Sequence, residues 1–145
     1  MKCIHCKKVL HKVGVGIRTI VLREGKILLG QRKNTSHQDG CWETPGGHFE
    51  YGENFIPSAI RELEEETGLK TKPENCKFLG VTNDYFPEDE KHYVTVYVLC
   101  KDIQGEPQTM EPDKSEGWKW FSTTELPTPL TQTLTNFIRQ IGFDL

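Results

Sequence analysis

The segment Glu62-Leu63-Glu64-Glu65-Glu66 places four glutamates within five residues. On a helix, Glu62, Glu65 and Glu66 stand at i, i+3 and i+4 and share one face, while Glu64 points elsewhere into solvent. Like charges at that spacing repel. The cost reaches up to a few kcal/mol per close pair at an effective dielectric of about 20, so some of these carboxyls should titrate above their usual range. A divalent cation removes the penalty. Donor sets made only of oxygen suit Mg²⁺ or Mn²⁺, and Mg²⁺ characteristically binds a few carboxylates together with waters and substrate phosphates. An acidic stripe standing alone would equally describe a solvated helix face.

The elements that must present these glutamates are legible around them. Asn54 suits an N-cap, Pro57 is tolerated in a first turn, and Gly68 suits the C′ position after Thr67, so the spacing predicts a helix from about Phe55 to Thr67. Ile56, Ala59, Ile60 and Leu63 form its expected core face. Upstream, Val13 to Leu22 and Lys26 to Gly30 read as strands joined by the turn Arg23-Glu24-Gly25. A loop rich in Gly, Ser and Asn then runs from Asn34 to Gly47 and ends on Pro45-Gly46-Gly47. Downstream, Lys77 to Asn83 and His92 to Cys100 read as strands, the second apolar on both faces and therefore central. Trp118 to Phe121 is a short strand, and Leu130 to Ile141 a closing helix. Strands and helices in this alternation imply an α/β fold, a three-layer α/β/α sandwich on a mixed β-sheet.

The chain of 145 residues is expected to form one domain, 1–145, with a polar extension over 1–12. A net charge of −3 and a pI of about 6.0 provide no basic field for a nucleic-acid polymer or an anionic membrane, so the expected partners are small molecules. No apolar run approaches the roughly 20 residues of a membrane span, and the N-terminus lacks the apolar core of a secretory signal. A cytoplasmic protein is expected. Its five cysteines are odd in number and mostly scattered, which suits reduced thiols. Cys3-x-x-Cys6 with His5 and His11 resembles half a zinc site, but no second Cys pair follows, and a polar terminus is the competing reading.

Read from Gly47, the chain spells G-x5-E-x7-R-E-U-x-E-E-x-G-U, where U is apolar. Gly47, Glu53, Arg61, Glu62, Leu63, Glu65, Glu66, Gly68 and Leu69 occupy the fixed places. Seven fixed identities arise by chance on the order of once in 10⁸ start positions. This is similar to the complete signature of the Nudix hydrolases, and the strands around it fit that family's α/β/α sandwich. Leu28 to Lys33, Pro45 to Glu53, His92 to Val96 and Glu111 to Phe121 extend the resemblance to MutT-like nucleotide pyrophosphohydrolases of the small cytosolic branch. Thr44 departs from the larger apolar residue more usual before Pro-Gly-Gly.

The resemblance implies hydrolysis of a nucleoside diphosphate linked to another group. The products expected from a nucleoside triphosphate, an oxidised purine such as 8-oxo-dGTP among them, are monophosphate and pyrophosphate. Nucleotide sugars and prenyl diphosphates are the alternative substrates, and a non-catalytic sensing module is the rival class. An EF-hand spacing is absent. Glu62, Glu65 and Glu66, the carbonyl of Gly46 and Glu116 are the implied ligands of Mg²⁺, for which Mn²⁺ can substitute. Glu62 is the first candidate base and Glu65 the second. Arg61 would orient the glutamates with Glu53 as its partner, although such a pair can also be a surface salt bridge worth under about 1 kcal/mol. Arg32 and His48 would contact phosphate. Asn83, Asp84, Tyr85 and Phe86 after a strand, and Thr133, Leu134 and Thr135 at the closing helix, are the candidate walls of a base pocket, or else packing. A homodimer is the candidate assembly.

Overall fold

The computed structural model describes residues 11–145, so the candidate zinc residues Cys3, His5 and Cys6 lie outside the described residues. Strand β1 (Gly14–Arg23) runs into β2 (Lys26–Arg32) through Glu24 and Gly25, whose φ values of 51° and 74° are both left-handed. A two-residue turn of this hand matches the natural twist of the flanking strands. Two short strands follow, β3 (Trp42–Glu43) and β4 (Gly46–His48), then helix α1 (Phe55–Thr67). Next come β5 (Cys76–Phe86), β6 (Lys91–Cys100), β7 (Ser115–Ser122) and helix α2 (Gln132–Gln140).

The strands form a seven-stranded sheet with a main path β3-β2-β1-β6-β5, while β4 pairs with β1 and β7 with β2. Strand β6 lies between β1, to which it is parallel from Gly14↔Tyr93 to Val21↔Cys100, and β5, to which it is antiparallel. Alternation along β6 builds both cores, as its apolar pattern requires. Val96, Val98 and Cys100 join Ile17, Ala59 and Leu63 on the α1 side. Tyr97 and Leu99 join Ile20, Leu134 and Phe137 on the α2 side. A mixed sheet is thus covered by a helix on each face, the three-layer sandwich expected from the sequence.

Helix α1 spans the expected residues, and Gly68 ends it with φ 75° and an N–H that donates to the Glu64 carbonyl at 2.9 Å. Asn54 holds the N-cap position, but its side chain makes no capping bond. Its carbonyl accepts from the Ser58 N–H, and the Ser58 hydroxyl donates to Glu53 instead. The buried stripe also differs from the expected one. Ser58, Ala59, Glu62, Leu63 and Thr67 are buried, whereas Ile60 is half-buried in a recess with Pro57, Glu64 and Thr71. The inward face has turned toward β4, which brings Glu62 inside. Among the described residues, no helix is long and apolar enough to cross a membrane.

Candidate active site

Two carboxylates of α1, Glu62 and Glu65, and Glu53 from the loop before it meet one guanidinium. Arg61 grips Glu53 with Nε and Nη2, both at 2.8 Å, and with Nη1 it reaches Glu62 at 3.0 Å and Glu65 at 3.2 Å. Nη2 also donates to the His48 carbonyl at 3.4 Å. The fork of Arg61 explains the geometry, since five fixed donors can hold several carboxylates at once. Its hydrogen bonds hold the Glu53 carboxyl down at about 2. Glu65 is exposed and Glu64 points to solvent beside Lys70.

Glu62 and Glu66 are set against the Pro45-Gly46-Gly47 turn. The Gly46 N–H donates to Glu66 Oε2 at 3.0 Å. A Cβ on Gly47 would stand 2.5 Å from the Glu62 carboxyl, and one on Gly46 would stand 2.2 Å from the Ile17 carbonyl oxygen. Both glycines therefore permit close approaches that any side chain would block. Burial pushes the Glu66 carboxyl up to about 8, opposed by nearby Arg18 and the Gly46 bond. Burial likewise raises Glu62, with Arg61 opposing. Among the described residues, no three His, Cys, Asp or Glu side chains converge into a ready ligand group.

Facing the glutamates is a cationic wall of which sequence reasoning named Arg32 but missed Arg18 and Lys114. Glu43 Oε1 accepts from Arg18 Nη1 at 2.9 Å and from Arg32 Nη1 at 2.8 Å, and Arg18 also donates to the Thr44 carbonyl at 2.9 Å. Thr44 is buried here and contributes its backbone to this anchor. The available signal was Arg18 itself, the only charged residue in Val13 to Leu22. A cavity of about 440 Å³ lies between this wall and Glu62, Glu65 and Glu66. It continues into a second lobe of about 450 Å³, lined by His37, Phe86, Tyr93, Thr95 and Thr133. Arg18, Arg32, Gly47, His48 and Lys114 line both lobes, which together make one trough.

Comparison with known proteins identifies the family and the fold. The model of the NUDIX domain matches residues 10–141. The chain belongs to the Nudix family. A MutT Nudix hydrolase structure from Burkholderia pseudomallei superposes with a TM-score of 0.81 and 32% identity, covering 90% of this chain and 99% of that one. An ADP-ribose pyrophosphatase of Methanocaldococcus jannaschii is 32% identical over 78% of this chain and 64% of its own length. An 8-oxo-dGTP diphosphatase of Proteus vulgaris is 31% identical over 69% of this chain and 83% of its own. An m7GpppN-mRNA hydrolase of Xenopus laevis is 31% identical over 72% of this chain, but the chain spans only 39% of that relative's length.

Within this Nudix fold several expected positions differ. Glu116 does not reach the glutamate lobe but lines a separate recess with Gln31, Lys33 and Asp39, and Glu111 stands on the trough instead. The reason is a bulge. Gly30 pairs with Trp118 and Arg32 with Ser115, so Glu116 and Gly117 together oppose Gln31, with Gly117 at φ 118°. Asn83 to Phe86 do not follow a strand; they belong to β5 and pair with β6. Alternation then sends Asn83 and Tyr85 outward and Phe86 inward, where it meets His37 edge-on at 4.5 Å. Asn83 pairs with His92 at 2.6 Å and is not on the trough, and neither is Tyr85. Asp84 is buried and accepts from Thr82, Thr95 and Asn136. Leu134 is in the α2-side core, and its neighbour Thr133 lines the trough. Arg32, His48 and Gly46 do line it.

Proposed function

We propose that this Nudix protein is a divalent-cation-dependent pyrophosphohydrolase that converts nucleoside triphosphates, oxidised purine nucleotides such as 8-oxo-dGTP among them, to monophosphate and pyrophosphate. One observation carries the reading: Glu62, Glu65 and Glu66 face Arg18, Arg32 and Lys114 across a single trough. Carboxylates beside a cationic wall match a phosphate chain bridged by a cation. The similarity to an 8-oxo-dGTP diphosphatase supports the substrate class.

The donor set fits a hard cation, because it consists of oxygens and contains two carboxyls, Glu62 and Glu66, that burial raises. Mg²⁺ is the proposed ion and Mn²⁺ its substitute, held by Glu62, Glu65, Glu66 and the Gly46 carbonyl. When bound, such a cation neutralises phosphate charge and makes water more acidic. Glu62 is the proposed base that takes the proton from the attacking water, with Glu65 the second candidate. Arg61, clamped by Glu53, keeps both in place. Arg32 and His48 hold phosphate oxygens, joined by Arg18. The lobe of Phe86, Tyr93, Thr95 and Thr133 receives the nucleoside.

A second reading has its own support. The 32% identity to an ADP-ribose pyrophosphatase makes another diphosphate-linked metabolite the alternative substrate. Sequence and structure keep every glutamate whose loss would mark a non-catalytic module. The test is a panel of 8-oxo-dGTP, ordinary nucleoside triphosphates, ADP-ribose, a nucleotide sugar, capped RNA and a prenyl diphosphate, each with Mg²⁺ or chelator. Monophosphate and pyrophosphate from the triphosphates, with label from ¹⁸O-water on pyrophosphate, is the expected result. Turnover in excess chelator, or orthophosphate as product, would refute the proposal. The same reading takes residues 1–145 as one cytoplasmic Nudix domain, and light scattering on the purified chain tests the candidate homodimer.

A further inference from the structure

Cys76 opens β5, Cys100 closes β6, and the two are direct partners across the antiparallel ladder. At the adjacent pair the Lys101 N–H donates to the Asn75 carbonyl at 3.0 Å. Because hydrogen-bonded and open pairs alternate in such a ladder, Cys76 and Cys100 occupy an open pair, where facing Cα atoms come within about 4.5 Å and side chains are closest. Their sulfur atoms are 3.6 Å apart. A disulfide spans Cα atoms about 4.4–6.8 Å apart with sulfurs at about 2.05 Å, so closing this pair needs sulfur movement of about 1.5 Å and no change of backbone register.

We propose that Cys76 and Cys100 form a modification site, oxidised to an intrachain disulfide by exchange with a low-molecular-weight disulfide of the glutathione type. Only Cys76 is reachable: it is half-buried at the sheet margin, whereas Cys100 is wholly enclosed in the α1-side core. Hydrogen bonding from Cys100 lowers the Cys76 thiol, and the same contact with burial raises Cys100. The order of events follows. The Cys76 thiolate attacks oxidised glutathione, its S–S bond breaks, and one glutathione leaves as thiolate. Cys100 then gives up its proton and attacks the Cys76 sulfur, which forms the Cys76–Cys100 bond and releases the second glutathione. Two protein thiols are oxidised, and one glutathione disulfide is reduced to two thiols. Cys41, which is half-buried and whose thiol burial raises, has no such partner among the described residues.

The bond lies at the far end of β6 from the trough. Thr95 lines the trough, and five residues of extended chain, about 16 Å, separate it from Cys100. Oxidation therefore closes a loop from Cys76 to Cys100 without touching the glutamates, so it should raise Tm by roughly 5–10 °C and leave kcat unchanged.

The test treats the full chain with oxidised glutathione, alkylates the remaining thiols and maps tryptic peptides without reduction. The expected product joins peptides 71–77 and 92–101, disappears with dithiothreitol and carries the Tm increase. Cys100→Ser should retain one glutathione on Cys76, and Cys76→Ser should show neither cross-link nor adduct at Cys100. If a serine variant fails to fold, the wild-type peptide map alone is the criterion. Alkylation of both thiols after oxidation, glutathione persisting on Cys76 in the wild type, or linkage to Cys3, Cys6 or Cys41 instead would overturn the proposal.

Discussion

Replacing Gly47 with alanine would set a methyl carbon 2.5 Å from the Glu62 carboxyl, where ordinary contact begins at 3.4 Å. The carboxyl must therefore retreat by 3.4 − 2.5, or 0.9 Å, on contacts that are the free end of a flexible side chain. Rotation of Glu62 is cheap for the fold, and the expected loss of stability is under about 1 kcal/mol, a Tm change below about 4 °C for a chain of this size. For catalysis the same movement is costly, because a displacement near 1 Å in the reacting constellation can cost about 10²-fold, or about 2.7 kcal/mol of barrier. Gly46→Ala is the internal contrast. Its methyl would meet backbone, the Ile17 oxygen at 2.2 Å and the Arg18 Cα at 2.9 Å, which cannot step aside. Overpacking of that kind costs about 1–3 kcal/mol. Steady-state kinetics with saturating Mg²⁺ and thermal unfolding of both variants form the assay. Expected are a folded Gly47→Ala chain with kcat down about 10²-fold and a Gly46→Ala chain with a clearly lower Tm. Wild-type kcat in Gly47→Ala, or equal Tm losses in both, would refute the steric argument.

Glu62→Gln and Glu66→Gln should each lower kcat by about 10²-fold, while Glu64→Gln, on the solvent side, should be silent; a Glu64 effect as large as that of Glu62 would contradict the helix facing. Glu116→Gln should leave the rate within about twofold, and Glu111→Gln should lower it more; the reverse order would mean that the β7 bulge is misassigned. Burial holds the Tyr97 phenol above its ordinary value, with its hydroxyl donating to the Thr133 carbonyl at 3.2 Å. A raised folded pKa contributes stability that is fully present below the unfolded value of about 10 and is lost as pH climbs past it, because the unfolded chain ionises first. Urea midpoints at pH 8 and 11 should therefore fall more for the wild type than for Tyr97→Phe, and equal slopes would exclude this origin.

Local physics was enough for much of this protein. The α1 boundaries follow from Pro57 in a first turn and Gly68 in a left-handed conformation, the central place of β6 follows from apolar residues on both of its faces, and the common face of Glu62, Glu65 and Glu66 follows from helical spacing. Each is set by residues a few positions apart. Tertiary structure decided what depends on register between distant segments. The Glu116–Gly117 bulge exists only relative to Gln31 on β2, and nothing in Glu111 to Phe121 read alone shows which carboxylate reaches the trough. Pairing of β5 with β6 set the outward faces of Asn83 and Tyr85. Arg18 and Arg32 become a wall because Glu43, 25 and 11 residues away, bridges them, and Cys76 meets Cys100 only because 24 residues fold back on themselves in register. Side-chain chemistry and helical period are written in neighbouring residues, but cross-strand pairing is a property of the closed sheet.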